Sequence, residues 1–358
     1  MQRVLTVGLS DEQRELVDFV PPKVLVLADR DEQRAIPALA KDPSAMRGIE
    51  AGVRRILTRH RLILGDSRQM DQIEDESVHL IVTSPPYWTL KQYPERSGQL
   101  GLVEDYESFL AELDKVWRHA LRVLVRGGRL IVVVGDVCLP RRRFGRHVVF
   151  PLHASIQEHC RAIGFDNLAP VIWSKIANAQ FEVENGSHFL GKPYEPNGIV
   201  KNDIEYVLFQ RKAGGYRQPS LAARLLSVIP EPCQREWFQQ IWSLGGASTR
   251  QHPAPYPLSV AERLIRMFSF AGDTVLDPFM GTGTTNLAAS RWGRHSIGFE
   301  VEPAYYKLAC RRLEQSSAIV ALPGMDAGEV DGYTESAAVN RPEVFLDSEV
   351  AHEPAVAL

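Results

Sequence analysis

Four consecutive residues, Ser84-Pro85-Pro86-Tyr87, close an apolar run at 78–83 that reads as a β-strand. Ligands of open α/β sheets bind beyond the C-terminal ends of strands, so this is a place where chemistry is expected. Two successive prolines fix φ and remove two amide donors, leaving a stiff turn whose carbonyls point outward. Such a turn offers the Ser84 hydroxyl oxygen and the Pro85 carbonyl as acceptors for a planar NH2 group, and Tyr87 as a face for stacking a base. An exocyclic amine conjugated to its ring is a poor nucleophile. Accepting hydrogen bonds from its hydrogens pushes electron density toward nitrogen and helps it rehybridise, so that its lone pair can attack an electrophilic carbon. No covalent enzyme intermediate is required.

A second constellation, Asp277-Pro-Phe279-Met-Gly281-Thr-Gly283-Thr-Thr285, follows one predicted strand and opens a predicted helix. Glycines two apart let the backbone turn tightly and let a ligand approach the main chain with no Cβ in the way. Asn286 stands where a dinucleotide motif has its third glycine, so a pyrophosphate cradle is not indicated. Glu300 ends the next strand, where a carboxylate can accept hydrogen bonds from ribose hydroxyls. Together these residues point to an adenosine-containing cofactor.

The elements that must hold these groups alternate. From residue 61 onward, strands at 62–64, 78–83, 129–134, 168–173, 204–210, 274–276 and 296–299 interleave with helices at 106–124, 152–163, 258–270, 284–292 and 303–314. This alternation predicts an α/β fold: a doubly wound, mostly parallel, Rossmann-like sheet with a recognition insert. Gly127-Gly128 is expected to end one unit before strand 129–134. Upstream, residues 4–20 could form a helix, 23–28 a strand and 43–45 a linker. The organisation read from this pattern is an N-terminal extension (1–50), a catalytic half (51–212), a target-recognition region (213–250), a cofactor half (251–315) and an acidic, disordered tail (316–358).

Composition narrows the class. At 358 residues, 44% hydrophobic and 24% charged, the chain is that of an ordinary globular protein. It has no apolar run long enough to span a membrane. Four scattered cysteines form no C-x-x-C pair, which argues against a zinc site or disulfide framework and fits a reducing cytoplasm. The net charge of −3 conceals an uneven distribution: residues 316–358 hold eight acidic side chains against Arg341 alone, leaving the remainder net positive. A mildly basic body is compatible with nucleic acid.

Ser-Pro-Pro-Tyr followed by Asp-Pro-Phe-x-Gly-x-Gly resembles the DNA amino-methyltransferases, in the beta arrangement that sets the catalytic motif before the cofactor motif. The resemblance runs from about residue 62 to 313. It implies methyl transfer from S-adenosylmethionine to an exocyclic amine of double-stranded DNA, with the target base flipped out. It further implies that Asp66 contacts the adenine amino group of the cofactor, that Asp277, Phe279, Gly281 and Gly283 form the cofactor loop, and that Glu300 holds the ribose. His252-Pro253 and the following helix would hold the methionine end. Asn202-Asp-Ile204-Glu-Tyr resembles a segment that often reads His-Glu-Tyr, but Ile204 replaces the histidine, so no catalytic role is assigned there. Serine at the first motif position is typical of cytosine-N4 enzymes, whereas aspartate or asparagine is typical of adenine-N6 enzymes. Both side-chain types can accept from an NH2 group, so the chemistry permits either. Cytosine N4 is the expectation and adenine N6 the alternative.

Flipping a base costs a few kcal/mol, which phosphate contacts must offset. Arg141, Arg142, Arg143 and Arg146 are the expected DNA contacts; Arg54, Arg55, Arg59 and Arg61 read better as surface. Sequence readout is expected within 175–201 or 213–246, with Asn178, Gln180, Lys192 and Asn197 as base readers, and residues 89–101 as a closing segment. Pro232-Cys233-Gln234 matches the tripeptide of covalent cytosine-C5 enzymes but lies on the wrong side of the cofactor loop, so it reads as coincidence. The family resemblance suggests a homodimer; the expected location is the cytoplasm, in association with the nucleoid. No nuclease motif is apparent, so any cognate restriction endonuclease would be a separate protein. An NAD-dependent oxidoreductase would share the glycine turn and the distal acid but leaves Ser84–Tyr87 without a purpose. An RNA or protein methyltransferase would share the cofactor half, and a catalytically silent DNA-binding protein would have no need of intact Ser84 and Glu300.

Overall fold

The computed structural model describes residues 16–89, 98–139, 141, 145–175, 202–245, 256–319 and 343–347. Its centre is a nine-stranded sheet. Strands are numbered in chain order: β1 (Arg59–Leu64), β2 (Val78–Thr83), β3 (Leu124–Val134), β4 (Val137–Leu139), β5 (Val148–Phe150), β6 (Phe165–Ser174), β7 (Ile204–Lys212), β8 (Ile241–Ser243), β9 (Thr274–Asp277), β10 (His295–Glu300) and β11 (Glu343–Asp347). The sheet runs β11-β1-β10-β9-β2-β3-β7-β6-β8, with β4 and β5 in a separate antiparallel hairpin. β7 runs antiparallel to both neighbours, β3 and β6; the other pairings are parallel.

The helices are α1 (Pro22–Arg30), α2 (Glu32–Ala40), α3 (Pro43–Val53), α4 (Tyr106–Val123), α5 (Leu152–Ile163), α6 (Leu221–Leu225), α7 (Glu231–Trp237), α8 (Leu258–Phe268), α9 (Thr284–Arg291) and α10 (Pro303–Ile319). α4 begins where the Asp105 carboxylate accepts from Ser108 N–H at 2.8 Å, and its stripe of Phe109, Leu113, Val116, Trp117 and Ala120 is buried. That stripe joins one apolar core with Leu130, Val132, Val134 and the α5 residues Leu152, Ile156 and Cys160. A second core, on Ile131, Val133, Leu80 and Val82, is covered by Val260, Ala261, Leu264 and Ile265 of α8 and Ala288 and Ala289 of α9. Helices on both faces of a mostly parallel sheet make the doubly wound architecture that the strand–helix alternation predicts.

The chain passes from β1 to β2 without filling the space between them; β10 and β9 occupy it later. The C-terminal ends of four neighbouring parallel strands, β1, β10, β9 and β2, therefore meet at one edge. Catalytic and cofactor motifs separated by some two hundred residues become neighbours there.

Four local readings are corrected. Residues 23–28 are helical in α1: Pro22 starts the helix, and Val24 and Ala28, four apart, face a third core with Leu39, Ile49, Val53 and Leu225. Pro43-Ser-Ala is the first turn of α3, capped by Asp42, which accepts from Ser44 N–H at 2.8 Å and Ala45 N–H at 3.2 Å. β3 begins at Leu124 and continues through Gly127-Gly128, which bulge; the register with β2 jumps between Val78↔Leu124 and Leu80↔Arg129, and Gly127 takes φ +75°. Within the tail expected to lack structure, α10 extends to Ile319 and β11 pairs in parallel with β1. The remaining tail residues, and residues 1–15, lie outside the described set.

Candidate active site

At the shared strand edge lies an open cleft lined by Gly65, Asp66, Ser84, Pro86, Gly98, Gln99, Pro278, Phe279, Gly281, Glu300 and Tyr305, among others. The glycine loop borders it. Gly281 takes φ +54° and Gly283 φ +78°, left-handed positions suited to glycine, and Gly283 N–H closes a turn on the Met280 carbonyl at 2.9 Å. A Cβ on Gly283 would come 2.9 Å from Ala309 Cβ, so that glycine also allows α10 to pack against the loop.

Glu300 joins the loop to the strand edge. Its carboxylate accepts from Gly281 N–H at 2.9 Å and from Glu302 N–H at 2.8 Å. Burial pushes its carboxyl up to about 7, against these two hydrogen bonds. Asp277 behaves differently from the expectation of a cofactor contact. It is 1% exposed and does not line the cleft. Its oxygens accept from Thr83 Oγ1 at 2.7 Å, Phe279 N–H at 3.0 Å and Thr285 Oγ1 at 2.6 Å. Burial raises it to about 6, with the three hydrogen bonds opposing. The Tyr256 hydroxyl completes this buried network on Thr285 Oγ1. Asp277 thus ties the residue before Ser84 to the start of α9. Gly283 likewise shapes the loop from behind, whereas Phe279 and Gly281 face the cleft.

Asp66 lies on the cleft wall, embraced by its neighbour Arg68, whose Nε sits 3.0 and 2.9 Å from the two carboxylate oxygens; Arg68 is anchored in turn on Glu112. These carboxylates hold the guanidinium firmly protonated.

Ser84 faces the cleft and donates to the Tyr87 hydroxyl at 3.4 Å, which donates to the Val133 carbonyl at 3.4 Å. Tyr87 departs from the expected stacking role: it is 6% exposed, and its ring packs beside Gly135, where a Cβ would come 3.5 Å from Tyr87 Cε2. Pro85 and Pro86 are buried, Pro86 against the cleft. The turn ends on Trp88, held at φ +47° by its indole N–H on the Val103 carbonyl (2.8 Å) and by ring contacts with Tyr106 and Phe150 at 5.1 and 5.0 Å. A left-handed tryptophan persists where surrounding contacts over-determine it.

The β4–β5 hairpin leaves the same end of β3. At its root, Asp136 accepts from His153 Nδ1 at 2.6 Å, and the His153 ring stacks on Tyr206 with centroids 3.8 Å apart. Arg141 and Arg146, in the hairpin's connection, are exposed; Arg142 and Arg143 lie outside the described residues. So do His252, Pro253, Asn178, Gln180, Lys192, Asn197 and residues 90–97 of the expected closing segment. Cys233 sits on α7, away from the cleft lining, and burial raises its thiol above the ordinary range, which disfavours a nucleophilic thiolate. No cluster of metal-ligating side chains occurs among the described residues. No helix among them is long and apolar enough to cross a membrane.

Three features escaped the motif reading: the Thr83–Asp277–Thr285–Tyr256 network, Arg68, and Arg312, which donates to the Thr282 carbonyl at 2.6 Å and steadies the glycine loop. Arg68, Tyr256 and Arg312 are ordinary residue types that lie outside both motifs. The one hint was that threonines adjoin both motifs.

Residues 78–311 match the DNA methylase family, and the chain belongs to it. It is 38% identical over 277 residues to the type II methyltransferase M.MjaI of Methanocaldococcus jannaschii, covering 69% of this chain and 88% of that one. Among solved structures it resembles a candidate DNA modification methylase from Thermus thermophilus complexed with S-adenosyl-L-methionine. The TM-score is 0.59 and the identity 52%, over 72% of this chain and 95% of that one. The fold is shared with PvuII DNA methyltransferase, described as cytosine-N4-specific, at a TM-score of 0.52 and 20% identity over 72% and 87% of the chains. The protein is an S-adenosylmethionine-dependent DNA methyltransferase of the N4/N6 family. The cleft fits that cofactor: a carboxylate at the strand edge, Gly281 of the glycine loop and a second acid, Asp66, all line one volume.

Proposed function

We propose that the protein methylates N4 of cytosine in duplex DNA, by direct transfer to a flipped base. The observation that carries this reading is Ser84, which lines the cofactor cleft while its hydroxyl hydrogen is engaged by Tyr87. With its proton turned to Tyr87, Ser84 Oγ presents lone pairs toward an incoming amine, and the Pro85 carbonyl is a second acceptor. Accepting both amine hydrogens aligns the nitrogen lone pair and raises its reactivity. Tyr87 is then a positioning residue, relaying Ser84 to the fixed Val133 carbonyl.

S-adenosylmethionine, when bound, supplies a methyl group activated by a sulfonium. Glu300 would accept from its ribose and Asp66 from its adenine, with Phe279 and Gly281 along its length. His252 and Pro253, by resemblance, would hold the methionine end. Asp277 and Gly283 keep the loop in register with Ser84. Serine rather than an acidic residue or amide at position 84 supports cytosine; adenine N6 remains chemically open to the same acceptors. Arg141, Arg142, Arg143 and Arg146 would contact phosphates flanking the extruded base. Residues 213–250 would take part in target recognition, a second copy of the chain would complete a dimer, and a cognate endonuclease would be a separate chain.

Ser84→Ala tests this assignment. Labelling of DNA should fall at least ~100-fold, with S-adenosylmethionine affinity unchanged by calorimetry. A variant that keeps its methylation rate would remove Ser84 from the reaction.

A further inference from the structure

Beyond the cleft, the ends of β6 and β7 carry a charged pair that amine activation does not use. Lys175 directly follows β6, and its N–H donates to the Asp203 carbonyl at 3.0 Å. Glu205 lies opposite Trp173 in the β6–β7 ladder. The Lys175 ammonium donates to the Glu205 carboxylate and stands over the Trp173 ring, 5.0 Å from its centroid. The Glu205 side chain is 12% exposed and that of Lys175 33%. Withdrawing two charges from water is costly, and their attraction repays it only in part, so such a pair is weak evidence for stability alone.

Its location suggests its use. Glu205 runs against Gly135, where a Cβ would lie 3.3 Å from Glu205 Cγ and 3.5 Å from Tyr87 Cε2. The pair and the catalytic turn thus flank one residue at the end of β3. In the strand order β9-β2-β3-β7-β6, the cofactor loop is on one side of Ser84 and the charged pair on the other. A base whose amine points at Ser84 would direct the rest of its pairing edge across β3 toward Lys175. An ammonium has three donors; among the described residues one is spent on Glu205. Cytosine offers an acceptor, O2, at the far end of that edge, where adenine has a C–H.

We infer that Lys175, oriented by Glu205, is a specificity-determining residue that donates a hydrogen bond to O2 of the target cytosine; the inference rests on the cytosine reading above. It is tested with mixed-sequence duplexes copied with either dCTP or its 2-thio counterpart, whose sulfur is a poorer acceptor. The wild-type protein should lose about 10-fold in kcat/KM on the thio duplex, as expected for a hydrogen bond from a charged donor. Lys175→Met should be about 10-fold slower on ordinary DNA and show no further loss on the thio duplex. Lys175→Arg, which keeps a donor, should retain the discrimination and guards against a methionine variant that fails to fold. Equal thio discrimination in wild type and Lys175→Met would overturn this contact while leaving the cytosine reading intact. Label in adenine with the wild-type protein would overturn both.

Discussion

At the scale of single residues, the site is governed by two buried carboxylates with different tasks. Glu300 faces the cleft and Asp277 does not, although both belong to the motif-bearing strands. Burial raises Glu300 to about 7 and Asp277 to about 6. Both therefore bind a proton more tightly in the folded than in the unfolded chain. Their contribution to stability is complete below the ordinary carboxylate range and is lost as pH rises through 6 and 7. The cofactor requires the opposite state of Glu300, since an ionised carboxylate is the better acceptor for ribose hydroxyls and the better partner for a cationic sulfonium. Affinity for S-adenosylmethionine should therefore fall as pH drops below about 7, and Glu300→Gln should weaken binding and flatten the profile. Calorimetric titration from acid to alkaline buffers reads both; a flat wild-type profile would exclude Glu300 from the binding equilibrium.

At the scale of elements, the central device is a cross-strand tie. Thr83 at the end of β2 donates to Asp277 at the end of β9, and Thr285 at the start of α9 donates to the same carboxylate. Removing the Thr83 donor leaves a buried carboxylate short of one hydrogen bond, so Thr83→Val should destabilise the fold by ~1–3 kcal/mol. It should also lower kcat, because Ser84 is the next residue. Thermal melting and steady-state rates check this, and an unchanged melting temperature would mean that the tie is dispensable. Much of the element level was legible in the sequence. From β1 onward, apolar runs ending at Gly65, Ser84 and Asp277 marked strands, and the stripe from Phe109 to Ala120 marked a helix. The failures have physical causes. Residues 24–28 form an unbroken apolar run, which periodicity cannot assign; as α1 they bury Val24 and Ala28 but leave Val26 and Leu27 59% and 55% exposed. Gly127-Gly128 read as a stop because a bulge and a terminus use the same residues. Tyr87 read as a stacking face because its type was visible and its burial beside Gly135 was not.

At the scale of the whole molecule, strand order explains how a chain with its catalytic motif first builds a contiguous site: β9 and β10 fill the gap between β1 and β2. The cofactor is served by one side of the Ser84 strand. The other side leads to β3, the hairpin with exposed Arg141 and Arg146, and the Lys175–Glu205 pair. If the hairpin arginines neutralise phosphates, Arg141→Ala with Arg146→Ala should raise the KM for DNA and leave cofactor affinity unchanged. The salt dependence of DNA binding should become shallower by about 0.9 in log–log slope for each phosphate no longer neutralised. An unaltered slope would place these arginines outside the interface.

The most direct test of the account is the identity of the methylated nucleoside. The protein is incubated with tritiated-methyl S-adenosylmethionine and mixed-sequence duplex DNA, the DNA is digested, and the labelled nucleoside is identified by mass spectrometry. The account predicts N4-methylcytosine, lost in Ser84→Ala. N6-methyladenine would preserve the mechanism at Ser84 but contradict the base assignment. Label at C5 of cytosine, or none in DNA despite cofactor binding, would contradict the reading of the site itself.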